Sequence, residues 1–468
     1  MEKKDTEIPI SENNENNIKT KIIIFKGKEK EIPEHNPDKS KCEFYLISKF
    51  RYCHFDKYKG GEFCVHHIQN NLDDFQICPY DPKHRVKKSK YKQHLKTCNT
   101  LAKQKEIQNN PWYKKNINHA KDLNNLLPNE QTLSTLYEAK WDDLSTDEFE
   151  SILNTIINSY STIRDMYKTY SSSNNLEETL KHMNVNYSLS GMVIDEDKNI
   201  NSTDQVVHSI KHNIQNEEIS SVSFKSGLID TKENYLVIEF GAGKGGLSKA
   251  VNSLVTFEHC CVNILLERQG LRHKKEANTE NMLRYRTDII DFDLNYLDKI
   301  DLINVDDKIK DKLKTSHKIV GVAKHICGCA FDLSLTCLFN HEKFNSLVKG
   351  LCMATCCHHL NRVELLNHLD FYVNKLKMSV KEIIYLFKAT SWVFGSIRNH
   401  NKEANVKKDK DDIFRKKNLT RKQIGQMSKY IIDLARCMLL IEKGFKVFYL
   451  KYCDKGITTE NNLILAIK

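Results

Sequence analysis

The sequence predicts an α/β protein with two small metal-held modules ahead of its main domain. Three observations carry that prediction. Eight soft or borderline metal ligands fall between Cys42 and Cys98. A strand-like run ends in a glycine-rich loop at Gly241–Gly246. From Tyr235 onward, short apolar runs alternate with helical segments.

The first ligand block reads Cys42-x10-Cys53-x10-Cys64-x2-His67, and the second Cys78-x5-His84-x9-His94-x3-Cys98. Each supplies four ligands, enough to close a tetrahedral Zn²⁺ site with no position left for water. Both are therefore expected to be structural sites. Segments this short bury too little apolar surface to fold alone, so metal binding, worth ~10–16 kcal/mol at such sites, would supply the folding free energy. In the second block His94 and Cys98 stand four residues apart, so one helix can present both to the metal. The basic run Arg85–Lys96 would then face outward, suited to phosphate.

Composition bounds the rest. A chain of 468 residues with 40% hydrophobic content accommodates two or three domains of ~150 residues. It has no apolar run of about 20 residues, so no membrane span is expected. Residues 1–39 are charged and Asn-rich, without the apolar stretch of a secretory signal, and read as a disordered tail. Fifteen cysteines without an export signal argue for reduced thiols and metal binding over a disulfide framework. That places the chain inside the cell, in cytoplasm, nucleus or both. The formal charge of +11 favours an anionic partner, with a solvated Lys-rich surface as the plainer alternative.

The resulting organisation is a tail (1–39), one module (40–69), a second (75–100), a middle region (101–230) and the main domain (231–468). Within the middle region, helical periodicity runs through Leu133, Leu136, Tyr137, Phe149, Ile152, Leu153 and Ile156. From Ser171 to Ser226 the chain is polar and reads as a linker. In the main domain, strands are expected at Leu236–Phe240, Val262–Leu266, Ile319–Ala323 and Leu347–Ala354. Phe445–Tyr452 and Leu463–Ile467 form a terminal hairpin. Strand–helix–strand order implies a mostly parallel sheet. A charged insert occupies roughly 400–418.

The chemistry gathers where these strands end. Gly241, Gly243 and Gly246 satisfy Gly-x-Gly-x-x-Gly, which lets a backbone turn sharply and approach a ligand. Lys244 precedes a glycine instead of following one, which disfavours a nucleotide-hydrolysing P-loop. Glu239, two residues before the first glycine, suits the amino end of S-adenosylmethionine. Glu267 suits the ribose hydroxyls of an adenosine, and Asp288 its adenine amine. A dinucleotide carrier remains open on the glycines alone. Ala323-Lys324-His325-Ile326-Cys327-Gly328-Cys329 and Ala354-Thr355-Cys356-Cys357-His358-His359 follow later strands, so they project towards the same crevice. Their cysteines admit three readings: a third zinc site, a covalent nucleophile, or small buried hydrophobes, the last favoured for Cys337 and Cys352.

This ordered set resembles one family, the eukaryotic tRNA methyltransferase 13 enzymes, which modify the ribose 2′-hydroxyl of nucleotide 4 in the acceptor stem. The resemblance rests on both finger spacings, Lys324-His-x-Cys-Gly328, Cys356-Cys-His-His359, Thr390-Ser-Trp392, Ile424-Gly425 and Thr459-Glu-Asn461. It covers about 40–100 and 230–468.

It implies a CCCH finger, a CHHC finger and a Rossmann-like class I S-adenosylmethionine-dependent methyltransferase domain. The implied cofactors are S-adenosylmethionine and two structural Zn²⁺. The implied partner is the tRNA acceptor stem, with neither DNA nor membrane expected and the oligomeric state open. Lys324 is the first candidate for the group that activates the hydroxyl, then His325, with His358 and His359 behind. The competing readings are a non-catalytic RNA-binding protein that keeps only the fold, and a nicotinamide-dependent oxidoreductase.

Overall fold

The computed structural model describes residues 20–25, 28–58, 61–67, 75–119, 125–183, 189–190, 194, 208–230, 233–255, 261–268, 281–298, 307, 310–311, 314, 318–340, 342–393 and 404–468. The chain divides after Asn109 into two compact units.

The first unit is built from short pieces. β1 (Thr20–Phe25) and β2 (Lys28–Pro33) form an antiparallel hairpin. The expected disordered tail therefore holds structure over part of its length. Ile32 is buried, and the Tyr52 hydroxyl donates to the Pro33 carbonyl at 2.8 Å, which ties the hairpin to the first ligand block. The tail's first 19 residues lie outside the described set. The two-residue strands β3 (Tyr45–Leu46) and β4 (Arg51–Tyr52) pair around the first ligand block. The second block is a hairpin, β5 (Phe75–Cys78) with β6 (Asp81–Lys87), followed by helix α1 (Lys88–Thr97). Cys98 closes α1 and precedes α2 (Asn99–Gln108), so it caps the helix that carries His94. No side chain of α1 is buried. Propensity and packing alone would not hold a ten-residue helix in water.

The second unit is α/β, around a mixed seven-stranded sheet. Its strands are β7 (Tyr235–Phe240), β8 (Cys261–Leu266), β9 (Met282–Tyr285), β10 (Lys318–Cys327), β11 (Val348–Cys356), β12 (Lys446–Lys451) and β13 (Asn462–Ile467). They lie in the order β12-β13-β11-β10-β7-β8-β9. Pairing from β11 through β9 is parallel; β13 runs antiparallel to both its neighbours. All six residues of β7 are buried, as expected for a central parallel strand covered on both faces. β9 is short and only partly buried, and no apolar run announces it.

Helices cover the sheet in two groups. One joins α4 (Thr146–Ser173) to the long helix Arg421–Glu442, which rests on β12. Two shorter helices, α3 (Glu130–Glu138) and α5 (Leu176–His182), stand before and after α4 in the chain. In the other group, α6 (His208–Lys225) packs on α7 (Gly246–Leu254) and β11. The periodic residues of α4 do turn inward: Phe149, Ile152, Leu153, Ile156, Ile163 and Tyr167 are buried. Ser145 and Glu148 form a capping box that starts the helix.

Two expectations are corrected here. The polar stretch expected to be a linker contains α6, whose buried face mixes Ile219 and Val222 with Gln215, Asn216, Ser220 and Ser223. Small polar residues hid its periodicity. The charged insert likewise forms a helix, Ala404–Lys416, with Ile413, Phe414 and Lys410 buried. The Lys410 ammonium donates to the Trp141 carbonyl at 3.0 Å. No helix among the described residues is long and apolar enough to cross a membrane.

Candidate functional site

Each ligand block gathers into one cluster. The ligand atoms of Cys42, Cys53, Cys64 and His67 lie within 4.8 Å of one another, as do those of Cys78, His84, His94 and Cys98. The Cys53–Cys64 sulfurs are 3.9 Å apart and the Cys78–Cys98 sulfurs 3.8 Å. Tetrahedral Zn–S bonds of ~2.3 Å require a separation of about 3.8 Å. In the second finger His94 Nε2 is buried without a hydrogen-bond partner, a cost that a metal bond removes. His84 turns Nδ1 towards Cys98 at 3.7 Å and Nε2 towards Asp81 at 3.4 Å. A carboxylate behind a histidine in this way fixes its ring for a metal. In the first finger the Phe44 ring stacks on His67 at 3.9 Å. Both donor sets fit a structural zinc.

In the α/β unit the proposed cofactor residues collect at the carboxyl ends of β7, β8 and β9. Gly241, Gly243 and Gly245 all have positive φ, where a side chain would be strained. The Gly243 amide donates to the Glu267 carboxylate at 2.8 Å, bridging the ends of β7 and β8. Arg284 of β9 donates to the Gly243 carbonyl at 2.6 Å. Gly246 begins α7, and a Cβ there would meet the Asn216 amide of α6 at 2.7 Å. Asp288 caps a short turn through the Ile290 amide and pairs with Arg268 at 3.4 Å.

Glu239 is buried beneath the loop and accepts hydrogen bonds from the Ser248 amide at 3.0 Å and from the Ser248 hydroxyl. Burial raises its pKa and these two bonds oppose the rise. One carboxylate oxygen thus supports the first turn of α7.

Lys324 and His325 lie in the last four residues of β10, the neighbour of β7. Gly241 lies against this segment, since a Cβ built on it would stand 3.8 Å from the His325 carbonyl. Burial pushes the Lys324 ammonium below the usual lysine range, against the pull of the Glu239 charge. Its Nζ reaches the His212 carbonyl of α6 at 3.5 Å. Burial also lowers His325, to about 4, and the Lys324 and His212 charges act in the same sense. His325 Nε2 lies 3.3 Å from the Gln215 amide oxygen. Both side chains are half-buried.

The two histidines after β11 part company. His359 is exposed. His358 is sealed in, its Nε2 2.8 Å from Asp433. This corrects the expectation that His358 could receive a proton from a substrate, because no face of its ring reaches solvent. Asp433 also accepts from the Thr355 and Tyr449 hydroxyls, each at 2.8 Å. Burial would raise its carboxyl, but His358, Arg436 and Thr355 outweigh that and hold it at about 2.

Arg436, one turn along the same helix, pairs with Asp332 at 2.6 Å and donates to the Gly328 carbonyl and the Asn361 side chain. Asp433 and Arg436 thereby clamp the loops after β10 and β11. Sequence reasoning passed over both, and over Gln215, Asn216 and Arg284. An i, i+3 pair of opposite charges inside the apolar run Ile431–Leu440 was the available signal for the clamp. For the α6 residues there was none.

The fold and these sites define a protein with two four-ligand metal clusters and an α/β unit whose glycine turn lies against a segment carrying Lys324 and His325. The family described as Methyltransferase TRM13 matches residues 208–467, and the chain belongs to that family. A CCCH zinc finger in TRM13 protein matches 40–68, and a U11-48K-like CHHC zinc finger matches 75–99. The relatives include the tRNA:m(4)X modification enzyme TRM13 of Vanderwaltozyma polyspora, 26% identical over 93% of this chain and 99% of that protein. The enzyme of the same name from Kluyveromyces lactis is 25% identical over 92% and 96%, and the Homo sapiens homolog 24% over 92% and 95%. No solved structure gives a significant match.

Proposed function

We propose that this chain is an S-adenosylmethionine-dependent tRNA methyltransferase that acts on a ribose 2′-hydroxyl at position 4 of the acceptor stem. The observation that carries the reading is the contact of the Gly241 turn with the Lys324–His325 segment. It sets a loop suited to an adenosine-bearing ligand beside two amines whose protonation burial disfavours. The relatives are tRNA modification enzymes by name, which supports tRNA as the substrate class. The strand order, with its antiparallel β13, supports a Rossmann-like class I arrangement.

S-adenosylmethionine, when bound, would supply an electrophilic methyl. Gly241–Gly246 and Glu267 would hold its adenosine and Asp288 its adenine edge. Glu239 would serve the amino end from below, while also bracing Ser248. The nucleophile's proton must go to a nearby base. Lys324 and His325 are the two placed to take it. His325 is neutral near pH 7, and Gln215 fixes its ring. Lys324 is the stronger base, with its ammonium already destabilised by burial. His358 acts through position, by anchoring the turn that carries His359 to the rim.

In the fingers, the basic α1 surface supports recognition of an A-form stem, which proteins read through shape, phosphates and 2′-hydroxyls. Unpaired cysteines gathered in zinc-ligand geometry support an intracellular location.

The test is methyl transfer from radiolabelled S-adenosylmethionine to total tRNA, followed by nucleoside identification. Labelled 2′-O-methylnucleoside is expected. A labelled base would refute the ribose assignment, and no transfer by zinc-loaded protein would favour an RNA-binding role.

A further inference from the structure

Outside the fingers, one more cluster of metal-ligating side chains stands among the described residues. The sulfurs of Cys327, Cys356 and Cys357 all lie within 4.8 Å of one another. We propose that these three thiols form a third metal site, for a thiophilic d¹⁰ cation such as Zn²⁺, at the carboxyl ends of β10 and β11.

The backbone brings the three together. Cys327 and Cys356 are partners on adjacent parallel strands, with their sulfurs 3.3 Å apart, and a tetrahedral zinc with bonds of ~2.3 Å would spread them by about 0.5 Å. In an extended chain Cys357 would point to the opposite face of the sheet from Cys356. Instead it adopts φ 49° and ψ 43°, a left-handed conformation that residues with a Cβ avoid. That single turn folds the third sulfur back towards the other two. Strained backbone of this kind persists where the surroundings over-determine it, often at ligand sites.

The same geometry removes the other candidates. The Cys329 sulfur accepts the Arg362 amide at 2.8 Å, and His358 does not fall within the cluster of ligand atoms. Three thiolates on a d¹⁰ ion leave a fourth position for water or an incoming donor, the arrangement of an open zinc site. Binding releases three thiol protons to solvent and involves no oxidation. The site lies two residues beyond His325 on β10, so an ion there would fix the strand end that carries both proposed bases. The proposal does not depend on the methyl-transfer reading.

The test is metal analysis of the full chain purified with zinc and dialysed. About three zinc ions per chain are expected, against about two for Cys327→Ser or Cys357→Ser, with circular dichroism checking that each variant folds. On unmutated protein, alkylation mapped by mass spectrometry should find Cys327 protected until a chelator is added. Cys327 is exposed, so rapid alkylation of zinc-loaded protein would overturn the site. So would about two zinc ions in wild type and variants alike. A Cys327–Cys356 disulfide in the isolated protein would also overturn it.

Discussion

The finger unit and the α/β unit reach order by different routes. In the fingers the buried cluster is little more than the ligands themselves, Cys42, Cys53 and Cys64 with Phe63 against them. In the α/β unit the whole of β7 is buried, and the buried polar groups include an ion-paired clamp, Asp433–Arg436–Asp332. The first unit depends on a ligand that titrates away with chelator or acid. The second is built on apolar burial and holds neither finger. One chain thus joins a unit built around metal ligands to a scaffold built around apolar strands.

The largest expected effect breaks the fingers alone. Chelation, or Cys64→Ser for the first finger, removes a site worth ~10–16 kcal/mol. Limited proteolysis should then digest the finger unit and leave a resistant core beginning near Asn110. Digestion of both units together would refute their independence.

The second effect is chemical and confined to the crevice. Lys324→Ala should lower single-turnover methyl transfer by ~10²–10⁴-fold while calorimetry shows S-adenosylmethionine binding retained. Loss of both would assign Lys324 to structure.

Next comes the clamp. Asp433→Asn leaves Arg436 and His358 facing a neutral group in a buried site, a class of change that costs ~3–5 kcal/mol. The second unit should lose that much in urea titrations while the fingers' zinc content is unchanged. Equal stability to wild type would show that the network is dispensable.

The smallest effect is in pH. If His325 is the base, the rate is flat around neutrality, because the acid limb falls near its pKa of about 4. If Lys324 is the base, the rate is still climbing above pH 7. Stability carries a related signature. The unfolded histidine, with a pKa of ~6.5, binds protons that the folded one refuses. The wild type should therefore lose stability relative to His325→Gln as pH falls from about 6.5 towards 4, and match its trend above that window.

How much the sequence disclosed follows the same division. Both ligand sets were legible because cysteine and histidine spacings record metal geometry directly. The glycine loop and the course of β10 and β11 were legible because buried parallel strands are apolar runs, though β10 runs past the expected end at Ala323 to Cys327 and β11 past Ala354 to Cys356. Whatever depends on tertiary partners stayed hidden. The four-residue strand β9 lacks such a run, α6 buries serine, asparagine and glutamine, and His358 is buried by tertiary packing with Asp433, 75 positions away in the chain, on its Nε2. In the sequence, His358 and His359 were equivalent; one hydrogen bond separates them.

The most direct measurement is site-resolved mapping of methylation on a tRNA transcript incubated with the full chain and S-adenosylmethionine, using alkaline cleavage to detect protected ribose linkages. The account predicts one new protected position, nucleotide 4 of the acceptor stem, absent with Lys324→Ala. Protection elsewhere, or a methylated base with no protected linkage, would contradict it.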